Sequence, residues 1–143
     1  MKLSTRTRYG MRAIIELAGY EGDRPLQLRA IAERQEISVK YLEQLMSLLR
    51  SAGFVRSVRG SKGGYILARP PEQITLSEIF RSLEGAVTTA ECTEDEEYCQ
   101  RSVDCVAREV WLKVEAAIQG VLSGITLADL VKKTRSHASN YQI

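Results

Sequence analysis

Apolar residues set the helices of this chain by their spacing. Between Ser4 and Tyr20, the residues Tyr9, Met11, Ala13, Ile14, Leu17 and Ala18 recur at helical intervals, with Arg6, Arg8 and Arg12 on the opposite side. Glu21–Pro25 (EGDRP) is a turn, and Leu28–Gln35 is a short helix with Leu28, Ile31 and Ala32 inward. Ser38 is a good N-cap for a longer helix to about Ala52, whose Leu42, Leu45, Met46 and Leu49 are apolar and which Gly53 is placed to end. The period then changes. Phe54–Val58 alternates as a strand, Gly60–Gly64 (GSKGG) is a hairpin tip, and Tyr65–Leu67 is the return strand. Thr75-Leu76-Ser77-Glu78 is a capping box that opens a helix to about Leu83. Gly85–Asp104 shows no period and is expected to be irregular. Cys105–Leu122 predicts a long helix with Val106, Val110, Val114, Ala117, Ile118 and Val121 along one side, broken at Ser123-Gly124. Thr126 caps a final short helix to Lys133, and 134–143 is expected to be a mobile polar tail.

Three helices followed by a strand, a hairpin and a strand form a winged helix-turn-helix. The predicted fold is mainly α with a small β-wing, followed by a long C-terminal dimerisation helix. The expected organisation is a winged helix-turn-helix DNA-binding domain over 1–84, a cysteine-bearing loop over 85–104, the dimerisation helix and a short terminal helix over 105–133, and the tail. A small domain cannot easily cover the stripe of Val106, Val110, Val114, Ala117 and Val121, so a second copy of the chain is expected to. Such a homodimer also pairs two recognition helices for a palindromic DNA operator.

Charge sharpens this picture. The net charge of the 143 residues is only +2, but residues 1–90 hold fourteen Lys/Arg against nine Asp/Glu, whereas residues 91–105 hold one Arg against six acids. The basic part is the part with the helix-turn-helix pattern, as nucleic-acid binding requires. The first residues are polar and basic with no secretion pattern, and no apolar run approaches the roughly 18 residues of a membrane span. A cytoplasmic location with reduced thiols is expected. No nucleophile–base pair or phosphate-binding glycine loop suggests catalysis or a small-molecule substrate.

The expected DNA contacts fall on two elements. Ser38, Lys40, Tyr41, Glu43 and Gln44 occupy the first turns of the second helix of the motif, the end that meets bases and flanking phosphates. Gln44 can pair with adenine, and Glu43 can accept from cytosine N4 or repel other bases. The plain alternative for Glu43 is a solvated carboxylate paired with Lys40. Arg59, Gly60, Ser61, Lys62 and Gly63 form the wing tip, where glycine supplies the turn and the two cations suit backbone or minor-groove contact. Glu36 stands in the turn where a helix-turn-helix ordinarily has glycine. Cys92, Cys99 and Cys105 lie among acids on the loop. Three such thiolates fit a metal or an iron–sulfur cluster; structural zinc, a redox disulfide or incidental thiols are the alternatives.

The N-terminal MKLSTRTRYGMRAIIELA, the run AIAERQEISVKYLEQLMSLLRSAGFVRSVRGSKGGYIL, then ITLSEI and the three-cysteine loop followed by Val110-Trp111, resemble the IscR-type iron–sulfur cluster regulators. Nitric-oxide and cysteine-metabolism regulators belong to the same bacterial group. The resemblance runs from Met1 to about Lys133 and rests above all on YLEQL and VRG…GGY. It implies a homodimeric regulator, mainly a repressor, that binds a [2Fe–2S] cluster through the three cysteines and controls cluster-assembly genes. The alternative it leaves is a regulator of sulfur metabolism or nitrosative stress, governed by a partner protein or by thiol redox state. The chain departs from the pattern at two places. Six residues separate Cys92 from Cys99, where the family usually has five, and Arg108 stands where close relatives carry a histidine. Arg108 stays protonated and cannot ligate iron. The single histidine, His137, is in the tail, and Arg8 stands where the nitric-oxide sensors have an aspartate. A loop carboxylate (Glu91, Glu94, Asp95, Glu96, Glu97 or Asp104), Glu109 or a residue of a second chain remains as fourth ligand.

Overall fold

Ser4 starts the first helix: its hydroxyl accepts from the Thr7 N–H at 3.2 Å, and α1 spans Thr5–Gly19. The structure, a computed structural model, describes residues 2–140. α2 spans Leu28–Gln35 and α3 spans Val39–Ser51. Between them Glu36 adopts φ 55° and ψ 44°, the left-handed conformation that glycine ordinarily supplies. Ser38 caps α3 by accepting from the Tyr41 N–H at 3.0 Å, and Gly53 takes φ 84° just past its end.

The antiparallel pair β1 (Val55–Val58) and β2 (Gly64–Leu67) forms the wing, in register Val55 opposite Leu67 and Val58 opposite Gly64. Leu26 adds a one-residue third strand on the other edge of β2: its N–H donates to the Tyr65 carbonyl at 3.0 Å, and the Tyr65 N–H returns a bond at 2.8 Å. The core lies where α1, α2 and α3 meet this sheet. Ile14, Ile31, Leu42, Leu45, Met46, Leu49, Val55, Ile79, Leu83 and Leu127 are fully buried there.

The capping box at Thr75 and Glu78 opens α4 (Leu76–Leu83). The following loop is more ordered than its sequence predicts. It holds a one-turn helix, α5 (Glu91–Glu94), and two 3₁₀ turns at Glu96–Tyr98 and Ser102–Asp104. α6 spans Val106–Ser123 and contains no buried residue. The chain then returns to the core. Leu76 N–H donates to the Ile125 carbonyl at 2.9 Å, and Leu127 N–H to the Ile74 carbonyl at 2.8 Å. The last helix, α7 (Leu127–Asn140), docks against α1 through Leu127 and Val131. Its length corrects the expectation of a tail starting at 134: an Arg135–Glu21 ion pair at 2.9 Å joins the polar end of α7 to the body. The end of the expected tail, 141–143, lies outside the described residues.

Candidate nucleic-acid interface and thiol loop

Residues three and four apart share one side of a helix, so α3 presents Lys40, Glu43, Gln44 and Ser47 together, all exposed. Their inward counterparts Leu42, Leu45, Met46 and Leu49 fix the orientation of that face. Of the five residues of α3 and its cap expected to reach DNA, Lys40, Glu43 and Gln44 are free of structural duties among the described residues. Ser38 caps the helix and remains exposed, while Tyr41 is half-buried, edge-on to Tyr9 with ring centroids 6.2 Å apart. The ion pairs among the described residues do not include one between Glu43 and Lys40. A cleft of about 550 Å³ follows this face and is flanked by Arg6. Arg6 lies on α1, outside the helix-turn-helix motif itself. Its Nε donates to the Leu83 carbonyl at 2.8 Å, which holds the side chain beside α3.

The wing tip exposes Arg59, Gly60, Ser61 and Lys62, with Gly63 half-buried. Gly63 N–H closes the tip on the Gly60 carbonyl at 3.0 Å. The glycines here are sterically required. A Cβ on Gly63 would lie 2.0 Å from the Val58 carbonyl oxygen, and one on Gly64 would lie 2.4 Å from that of Leu26. Gly63 is therefore explained by the shape of the wing. Arg24 shares a cleft with Ser61 and Lys62 and extends the positive edge of the wing, while Arg34, in the same cleft, is paired with Glu16 at 3.1 Å. The sequence marks Arg24 only as part of a turn, because its approach to the wing depends on the Leu26–Tyr65 pairing.

The three thiols sit on different local elements. Cys92 is half-buried on α5, Cys99 is exposed just after the first 3₁₀ turn, and Cys105 is half-buried immediately before α6. All three are free. Among the described residues no group of three or more His, Cys, Asp or Glu side chains lies close enough to hold a metal ion. The donors have the right chemistry for soft metals or iron–sulfur clusters, but this arrangement of the loop does not gather them.

α6 has two unlike sides. Val106, Val110, Val114 and Val121 are 74%, 48%, 41% and 62% exposed, and Ala117 and Trp111 are exposed beside them. The opposite side carries polar groups that hold the chain's own body. Arg108 Nε donates to the Cys92 carbonyl at 2.9 Å, and Gln119 Nε2 donates to Ser77 Oγ. Glu115 accepts from the Thr89 N–H at 2.5 Å and from the Thr93 hydroxyl at 2.6 Å. Burial alone would raise the Glu115 carboxyl; the Thr93 and Thr89 hydrogen bonds, with the Arg108 charge, outweigh it and hold it below its ordinary value. Sequence periodicity identifies the valine stripe, whereas the role of Glu115 depends on where the loop folds. No helix among the described residues is long and apolar enough to cross a membrane.

The sequence profile of the Rrf2 family, described as iron-dependent transcriptional regulators, matches residues 3–133. The HTH-type transcriptional regulator CymR of Bacillus subtilis is 43% identical over 141 residues, covering 99% of this chain and 97% of that protein. The solved structure of CymR, the global cysteine regulator of B. subtilis, superposes with a TM-score of 0.79 at 41% identity, covering 93% of this chain and 98% of that one. The structure of T. potens IscR gives 0.77 at 43% identity, covering 100% and 92%.

Proposed function

This chain belongs to the Rrf2 family of transcriptional regulators, and from that premise we propose that it is a cytoplasmic, homodimeric DNA-binding repressor whose cysteine loop is the sensing element. The observation that carries this reading is the exposed Lys40–Glu43–Gln44 face of α3 beside a wing tip bearing Arg59 and Lys62, both built on one core. In DNA, α3 enters the major groove, where Gln44 reads adenine and Glu43 admits cytosine and repels acceptor-rich edges. Lys40, Arg59 and Lys62 neutralise phosphates or line the adjoining minor groove. The valine face of α6 packs on the same face of a second copy. That sets two recognition helices about one DNA turn, roughly 34 Å, apart and makes the operator palindromic.

Cys92, Cys99 and Cys105 would hold a [2Fe–2S] cluster, and zinc is the competing occupant. A cluster supplies one-electron redox chemistry and sensitivity to oxygen. The loop's part is to bring three thiolates together from α5, the 3₁₀ turn and the start of α6. Arg108, committed to the Cys92 carbonyl, takes no place among the ligands. The fourth position falls to an oxygen donor of the loop, to Glu109 or to the second chain. Genes of cluster assembly are the expected targets. A second reading is favoured by the likeness to CymR, named a cysteine regulator. In it, a partner protein or thiol oxidation sets DNA affinity. The test is anaerobic purification with iron, sulfide and zinc analysis, visible absorption and operator binding. A coloured protein with matched iron and sulfide supports cluster sensing. A colourless, metal-free protein with full operator affinity supports the second reading.

A further inference from the structure

Arg108 and Glu115 lie two turns apart on the inward side of α6 and both grip the segment around Cys92. Arg108 Nε donates to the Cys92 carbonyl at 2.9 Å, and its Nη1 stands 4.0 Å from the Glu96 carboxylate. The Arg108 side chain is only 17% exposed, so this bond is shielded from water. Glu115 receives the N–H and hydroxyl of Thr89 and the hydroxyl of Thr93, the residue next to Cys92. Residues 89–96 are thus held by a cation at one point and an anion at another, while the thiols of Cys92, Cys99 and Cys105 remain unassembled. The arrangement is specific to this chain's arginine. A histidine at position 108 would offer a ligand nitrogen; a guanidinium offers only donors and stays charged across the physiological range.

We infer that Arg108 is a positioning residue that latches the metal-free loop and opposes the gathering of the three thiolates. This rests on the reading of those cysteines as one ligand set. The arrangement that Arg108 holds leaves the three thiols apart, so gathering them requires this segment or its neighbours in the loop to move. The loop therefore has two competing states: one ordered by Arg108, the other by a bound metal or cluster. The latch keeps the loop folded when empty. It also raises the threshold at which a metal or cluster is retained. Glu115 grips the same segment through Thr89 and Thr93, at bonds that do not involve the Cys92 carbonyl.

The test uses the full-length, metal-free protein under anaerobic conditions, with Co²⁺ alone as probe and its thiolate charge-transfer absorption as readout, alongside amide hydrogen exchange. A shielded bond from a charged donor is worth about 1.5–3 kcal/mol, which converts to an effect of about ten- to 150-fold. Arg108→Gln should speed exchange across 89–96 and tighten Co²⁺ binding, both within that range. Arg108→Lys, which keeps the charge but lacks the fork, should fall between the wild type and Arg108→Gln. Unchanged exchange in α1 to α3 establishes that the variants fold. Glu115→Gln gives an independent check: it should speed exchange around 89–93. Weaker Co²⁺ binding by Arg108→Gln would show that Arg108 supports the occupied site and overturn the latch, as would unchanged exchange together with unchanged affinity. Absence in the wild type of a thiolate–cobalt band removable by Cys92→Ser would instead overturn the ligand-set reading, while the exchange data still decide whether Arg108 holds the loop.

Discussion

Ser4 and Glu84 stand 80 residues apart in sequence and meet through a 2.6 Å hydrogen bond from the Ser4 hydroxyl to the Glu84 carboxylate. The Ser4 N–H adds a second bond at 3.2 Å, and the buried Thr7 hydroxyl donates to the same oxygen. Next to it, Arg6 bonds the Leu83 carbonyl. The start of α1 is thereby fixed to the end of α4, at the point where the chain leaves the winged-helix unit for the thiol loop.

This contact gives the fold an acid-sensitive joint. Hydrogen bonds from Ser4 and Thr7, with the nearby Arg6 charge, hold the Glu84 carboxyl below its ordinary value of 4.5. A carboxyl whose folded value is depressed stabilises the fold above its unfolded value and loses that contribution as pH falls through the folded one. Glu84→Gln should lower stability at neutral pH and flatten the decline below about pH 4.5. Urea unfolding from pH 7 to pH 3 measures both. Parallel pH curves for the two proteins would show that Glu84 is not the joint.

Glu36 holds a left-handed conformation that costs a side-chain-bearing residue roughly 1–2 kcal/mol. The side chain is exposed and takes part in no ion pair among the described residues. Glu36→Gly should therefore raise stability by about 1 kcal/mol, or about 3 °C in Tm, after the greater flexibility of glycine in the unfolded chain is allowed for. A lower Tm would mean that Glu36 makes a stabilising contact that outweighs its backbone strain.

The sequence reveals most where local chemistry decides the structure. Ser38 and the Thr75–Glu78 box are local signals, and the helix starts fall beside them, whereas Glu36 gives no sequence sign of the left-handed turn it makes after α2. The inward and outward sides of α3 follow from its apolar spacing alone. The order within 85–104 was not legible, because Thr89, Thr93 and the Cys92 carbonyl are held by Glu115 and Arg108 from a helix that begins afterwards. The Leu26 strand is one residue long and has no period to detect. The extension of α7 past Lys133 is polar, and its visible anchor is the pairing of Arg135 with a residue of the α1–α2 turn. The three thiol positions were plain in the sequence; their separation is a property of the folded loop.

Arg59 tests the wing. Its side chain is exposed and has no ion pair among the described residues. Arg59→Ala should weaken operator binding and reduce the slope of log affinity against log salt by about one unit, the signature of one lost phosphate contact. Titrations at several salt concentrations measure it. Identical slopes and affinities would remove Arg59 from the interface.

The apolar side of α6 tests the dimer. Val110→Glu or Val114→Glu would place an unpaired charge in the helix–helix seam, at a cost of several kcal/mol. Each variant should sediment as a monomer with its own core intact, because neither valine is buried within the chain. Both should bind a palindromic site poorly. Stable dimers in both variants would place the interface on another surface.

Reading of a palindromic operator by α3 and the wing is decided by selecting binding sites from a random duplex pool with the purified full-length protein. The wild type should enrich one palindrome, and Gln44→Ala should lose roughly 1–3 kcal/mol of discrimination at one position in each half-site. Glu43→Ala should still bind, with relaxed preference where cytosine is admitted. A pool that shows no palindrome with the wild type, or the same motif at the same information content for all three proteins, would rule out operator reading by α3.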